Sequence, residues 1–185
     1  MSLGTPIRGR TLHRGDDGFE EASSGWLLNV EHRPFAVVIA ADADDVAAAV
    51  RFAATANRPV AVESTGHGKS VASDGAVFVS TRELRELSVD PRAATARIGA
   101  GLSWGEVLTA TAEHGLAPLC GSSAEVGVMG FLTGGGLPLA CRVSPRTVSA
   151  PWSWSRPTAG SVPSRRPGNP ICSGRYGAAR ATSAW

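Results

Sequence analysis

No apolar run in this chain of 185 residues is long enough to span a bilayer, and no charged start followed by an apolar stretch and a cleavage site marks a leader. A soluble, cytoplasmic protein with no membrane partner is therefore expected. Cysteine is scarce. The three present, Cys120, Cys141 and Cys172, are odd in number and lack the spacing of metal ligands. That argues against a disulfide framework and against a zinc site, and for free thiols; no metal is expected. The length suffices for one domain with a real core.

Other absences are local. Residues 144–185 contain no Lys, Asp, Glu, Leu or Phe, yet they hold six Arg, six of the twelve prolines and three of the five tryptophans. That segment is +6 while the whole chain is +2, so residues 1–143 carry −4. A composition that shifts this sharply marks a boundary. Within the segment, APWSWSRPTAGS (150–161) sets Trp152 and Trp154 among Ser, Pro, Arg and Thr. It has no apolar periodicity to bury an indole, and linkers are poor in tryptophan.

The first 143 residues read more plainly. FAVVIAA (Phe35 to Ala41) is a short apolar run, the signature of a buried strand. In DADDVAAAVRFAATANRP, Asp42 or Asp44 can cap a helix; Val46, Val50 and Ala53 recur at helical spacing, and Pro59 ends the element. PVAV (Pro59 to Val62) and AVFVS (Ala76 to Ser80) are further strands, separated by the loop ESTGHGKSVASDG. This order predicts a small three-stranded α/β unit. LSVDPRAATARIGAG then reads as two strands around a turn at Asp90-Pro91. SWGEVLTATAEHG reads as a helix with Ser103 and Glu106 as a capping box, and Gly115 ends it. Trp104, in its first turn, is expected in the core. The stretch GSSAEVGVMGFLTGGG (Gly121 to Gly136) is too rich in glycine for a regular element to be expected.

Glycine at this density lets a backbone approach a flat or anionic ligand, with N–H groups free for phosphate oxygens. Neither loop fits the G-x-G-x-x-G of a Rossmann turn. GHGKS (Gly66 to Ser70) is not a P-loop, because Glu63 stands where that motif needs its first Gly.

Taken in order, RPFAVVIAADADDVAAAVRFAA, PVAVESTGHGKSVASDGAVFVST, VDPRAATARIGAGLSWGEVLTATAEHGLAPLCGSS and VGVMGFLTGGGLPLACR resemble the PCMH-type flavin-binding domain of the vanillyl-alcohol oxidase family, in its berberine-bridge-enzyme-like branch. The match runs from about Arg33 to Arg142 and rests on the order and spacing of all four. The resemblance implies an α/β (α+β) fold: a first subdomain and the start of a second, with FAD between them. It implies that the first loop binds the FAD pyrophosphate through Ser64, Thr65, Gly66, Gly68 and Ser70. It also implies that His67 bonds to the 8α-methyl of the isoalloxazine. A neutral imidazole between two glycines is accessible and a competent nucleophile. The second loop would contribute Ser122, Ser123, Val126, Gly127 and Gly130. Ser123 stands where some relatives carry a second attaching Cys, so one attachment is expected. The implied reaction is hydride transfer from a substrate C–H to flavin N5, with dioxygen as acceptor and a small molecule as substrate. The catalytic residues are not legible, since the relatives' substrate region has no counterpart here.

In the family the glycine-rich loop leads to a strand like ALELVTADG and then to PDLFWALRGGGGNFGV. Neither is present, but a shifted reading frame restores both. One coding of PWSWSRPT (Pro151 to Thr158) becomes ALELVTAD, SPRTVSA becomes FAADRVR ahead of it, and NPICSGRYGAARATSAW becomes EPDLFWALRGGKGNFGV. On this reading about one base was lost near Val143–Ser144, and residues 144–185 are an out-of-frame, unstructured tail. Trp152 and Trp154 are then TGG triplets cut from Leu-Glu-Leu-Val codons. The expected organisation is an N-terminal extension (1–32), a partial FAD-binding domain (33–143) and the tail (144–185). The expected chain is an inactive fragment of an oxidoreductase. The alternatives are a small non-catalytic FAD-binding module or a basic-tail interaction protein; six Arg without Lys or interleaved stacking motifs argue poorly for nucleic acid, and none is expected as a partner.

Overall fold

The computed structural model describes residues 7–68 and 71–136. They fall into two compact units, the first reaching Leu84 and the second starting at Arg85. The tail proposed to be out of frame lies outside the described residues.

The first unit is a four-stranded sheet with helices. Its elements are β1 (Arg10–His13), α1 (Phe19–Ser23), β2 (Ala36–Ile39), α2 (Ala43–Thr55), β3 (Val60–Glu63) and β4 (Val77–Ser80), with strand order β1-β2-β4-β3. β2 and β3 both run parallel to β4, with Ala36 and Val60 each opposite Val77. Strands covered on both faces read as unbroken apolar runs, and every residue of β2 and β4 is buried. Alternate residues serve opposite faces. Val38, Val77 and Val79 meet Ala49 and Ala53 of α2, while Val37, Ile39 and Phe78 meet Phe19 and Ala22 of α1.

Sequence periodicity predicts three strands here; the fourth, β1, comes from residues 1–32. It pairs antiparallel with β2, Arg10 opposite Ile39 and His13 opposite Ala36. With four residues and only Thr11 and Leu12 half-buried, it has no alternation long enough to detect.

Asp42 caps α2 through the N–H of Asp45 at 3.0 Å. Asp45 itself is buried and accepts the backbone N–H groups of Arg8 (2.8 Å), Gly9 (2.9 Å) and Ala41 (2.9 Å). It ties the chain before β1 to the turn after β2. Burial works against its charge, but N–H donors from Ala41, Arg8 and Gly9 outweigh it and hold the carboxyl below the usual aspartate range. Because the native value is the lower one, this stabilisation is complete above the ordinary aspartate value of about 4 and is lost as pH falls through the native value. Asp45→Asn is expected to cost about 2 kcal/mol at neutral pH, since an amide nitrogen then faces N–H donors. It should also flatten the acid limb of stability. Urea midpoints at neutral pH and at about pH 3 check this; a variant as acid-sensitive as the parent would contradict it.

The second unit opens with the hairpin β5 (Leu87–Asp90) and β6 (Thr95–Ile98), Leu87 opposite Ile98. Asp90 Oδ1 accepts the N–H groups of Arg92 (2.9 Å) and Ala93 (3.0 Å), which shapes the turn. Helix α3 (Trp104–Ala112) starts at the predicted capping box: Glu106 accepts the N–H and the hydroxyl of Ser103, each at 2.9 Å. The Ser103 backbone donor, opposed by burial and aided by the Ser103 hydroxyl and by Arg85, holds the Glu106 carboxyl low. Trp104 is in the core as expected, with Leu102, Val107 and Val128.

The glycine-rich stretch departs from expectation, because it contains helix α4 (Val128–Thr133). Val128 is buried in that core, and Phe131 meets Trp104 edge-on with ring centroids 5.5 Å apart. Packing of an apolar pair outweighs the modest cost of one helical glycine, Gly130. Among the described residues no helix is long and apolar enough to cross a membrane.

Candidate functional site

The first loop leaves the C-terminal end of β3 and belongs to the first unit. Glu63 is buried and pairs with Arg82 at 2.8 Å. The same guanidinium donates to the carbonyl oxygens of Ser64 (2.9 Å) and Ser24 (2.6 Å). One cation thus joins the loop to the segment that follows α1. Gly66 has φ +76°, a left-handed conformation that disfavours any side chain. A Cβ there would lie 2.6 Å from Gly25 Cα and 2.7 Å from Trp26 N. His67 is half-buried and stacks on Trp26, ring centroids 4.6 Å apart and planes 17° apart.

The Ser64 hydroxyl oxygen is buried and has no hydrogen-bond partner among the described residues. Native interiors rarely leave such a group unpaired, so an orphan hydroxyl marks a place for a partner from outside. Gly68 is exposed with nothing within 4 Å of where its Cβ would be. An orphan donor beside an open glycine backbone is chemistry that suits a phosphate oxygen. The predicted loop residues Ser64, Thr65, Gly66, His67 and Gly68 are therefore contiguous on one anchored turn; Ser70 lies outside the described residues. Glu63, Arg82 and Trp26 carried no signal in the sequence.

The second loop belongs to the second unit and is pinned to the start of α3. Trp104 and Gly105 donate to the carbonyls of Val126 (3.0 Å) and Ala124 (2.8 Å), and Gly127 forms a bridge with Ser103. Ser122 is exposed and Ser123 half-buried. Val126 packs against the Trp104 core, Gly127 is buried before α4, and Gly130 is exposed with open space beside it. A Cβ on Gly121 would lie 2.8 Å from the Phe131 ring, and one on Gly136 would overlap it. The turn therefore wraps Phe131 closely. Among the described residues no group of three or more His, Cys, Asp or Glu could hold a metal ion.

Comparisons with known proteins agree with this geometry. The profile of a family described as an FAD binding domain matches residues 34–146. (R)-6-Hydroxynicotine oxidase of Paenarthrobacter nicotinovorans is 30% identical over 73% of this chain and 30% of its own. The FAD-dependent monooxygenase FUP4 of Fusarium proliferatum is 36% identical over 65% of this chain and 24% of its own. The crystal structure of 6-hydroxy-D-nicotine oxidase from Arthrobacter nicotinovorans superposes with a TM-score of 0.70 at 28% identity, covering 76% of this chain and 31% of that one. Physcomitrella patens BBE-like 1 gives 0.66 at 25% identity, over 74% and 30%. The chain thus spans about a third or less of the length of these relatives. With its predicted loops placed on this fold, the chain belongs to the PCMH-type FAD-binding domain family, related to the vanillyl-alcohol oxidase and berberine-bridge-enzyme-like oxidoreductases.

Proposed function

We propose that this chain carries the FAD-holding part of an oxidoreductase that oxidises a small-molecule substrate. The observation that carries the reading is the first loop: an orphan buried hydroxyl, a left-handed glycine and a histidine presented between two glycines. Ser64, Thr65, Gly66, Gly68 and Ser70 would hold the pyrophosphate through backbone N–H and hydroxyl donors. Ser122, Ser123, Val126, Gly127 and Gly130 would border the isoalloxazine. When bound, FAD would supply the redox chemistry, hydride acceptance from a substrate C–H, with dioxygen as the proposed electron acceptor. His67 supplies the nitrogen that bonds to the 8α-methyl. Attachment would exchange one imidazole N–H and one methyl C–H for the new bond, a two-electron oxidation for which dioxygen would be the final acceptor. Free thiols such as Cys120 fit a cytoplasmic location.

The absorbance spectrum of the full chain tests this. Yellow protein whose colour stays with the acid-precipitated pellet is expected. Protein that stays colourless in excess FAD would overturn FAD holding by this chain and leave an inactive fragment.

The composition of residues 144–185 supports a second, separable proposal, that they are translated out of frame. Genomic sequencing is expected to find one more base near Val143 and an open frame encoding GGKGNFGV. Codons incompatible with the shifted peptide would sink that proposal.

A further inference from the structure

Trp26 is an unusual residue to leave in the open. It is 59% exposed, yet one face of its indole is covered by the imidazole of His67. Two close backbone contacts bring it there. Gly25 and Gly66 approach closely: Gly66 tolerates no side chain, and a Cβ on Gly25 would crowd Glu63 Oε2 at 2.9 Å and Gly66 Cα at 3.3 Å. Arg82 fixes the same contact electrostatically, bonding Ser24 on one segment and Ser64 and Glu63 on the other. The indole therefore arrives parallel to the imidazole as a consequence of backbone placement.

Among the described residues, His67 makes its ring contact with Trp26. An imidazole on a half-exposed turn has more than one rotamer open to it. The near-parallel stack at 4.6 Å removes that freedom and leaves the ring edge, which carries both nitrogens, uncovered by the indole. A nucleophile must be held in a near-attack geometry to react efficiently.

We propose that Trp26 is a positioning residue for His67. Its indole holds the plane of the imidazole so that a ring nitrogen meets the flavin methyl. The segment 24–26 lies outside the family-matched residues 34–146 and would thereby belong to the cofactor site. The inference rests on the proposed attachment of FAD through His67.

The test uses the full chain and its Trp26→Ala and Trp26→Phe variants, without and then with FAD. In the FAD-free protein, the imidazole proton resonances of His67, assigned with His67→Asn, should be shifted upfield by the indole ring current. They should return toward ordinary positions in Trp26→Ala and hold an intermediate position in Trp26→Phe. After FAD is added, acid-stable flavin should form on the order of tenfold more slowly in Trp26→Ala. Trp26→Phe, which can still stack, should stay within about threefold of the parent. The melting temperature should fall in Trp26→Ala only by the few degrees that one lost aromatic pair costs and should stay nearer the parent in Trp26→Phe, while reversible FAD binding persists in both, which separates positioning from folding. Unchanged His67 resonances in Trp26→Ala, or attachment at the parent rate, would overturn the role given to Trp26 alone. A parent chain that binds FAD but never forms acid-stable flavin would sink the attachment reading and this inference together.

Discussion

Replacing His67 by alanine is expected to abolish acid-stable flavin completely while leaving a folded chain that still binds FAD reversibly. The imidazole is half-buried and touches mainly Trp26, so its loss removes one aromatic pair, worth about 0.5–1.5 kcal/mol. The anchors of the loop do not involve it. Glu63, Arg82 and Thr81 hold β3 and the loop start through the 2.8 Å ion pair and the 2.8 Å bond from Thr81 N–H to the Glu63 carbonyl. The donors proposed for phosphate at Ser64, Thr65 and the neighbouring glycines should therefore survive the substitution. Acid precipitation separates the two kinds of flavin: the parent pellet should be yellow, and the His67→Ala pellet white with yellow supernatant. Yellow retained in the variant pellet would move the attachment to another nucleophile, such as the half-buried thiol of Cys120.

Gly66→Ala is expected to damage stability and cofactor binding together, and by more than any other single methyl added to the first loop. Its φ of +76° costs any L side chain on the order of 1 kcal/mol. The added carbon would also lie 2.6 Å from Gly25 Cα and 2.7 Å from Trp26 N. Both are backbone atoms and cannot swing aside as a side chain would. Relief requires segment 24–26 to move off the loop, which breaks the Arg82 bond to Ser24 and unstacks Trp26. A total cost of about 3 kcal/mol follows, within the range of the most damaging single substitutions. Gly68→Ala is the control, since that position has ordinary φ and nothing within 4 Å. It should change stability by less than about 0.5 kcal/mol. Denaturant midpoints and retained FAD check both variants. A Gly66→Ala chain as stable and as yellow as the parent would mean that the two segments do not meet this closely in solution.

Much of the architecture was legible from local pattern. The unbroken apolar runs of β2 and β4 announce strands covered on both faces, and Asp42 caps the start of α2 as expected, whereas its end comes at Thr55, closed by a left-handed Asn57 ahead of Pro59. The Ser103–Glu106 box is equally local, and the structure has it. The loops were legible as glycine-rich, because glycine is chosen for a backbone that side chains would obstruct.

What only the tertiary structure decided is how distant residues meet. β1 is invisible in the sequence because four residues, two exposed and two half-buried, become a strand only when β2 offers its edge. Helix α4 forms within a glycine-rich stretch because Phe131 finds Trp104. Asp45 looks like one of three surface acids at a helix start, yet it is buried under N–H groups more than thirty residues away. Glu63 and Arg82 are nineteen positions apart, and Trp26 and His67 forty-one. Propensity, capping and periodicity act over one or two turns, so a sequence carries them openly. An ion pair or a stacked ring depends on where the folded backbone brings its ends, and no local pattern records that.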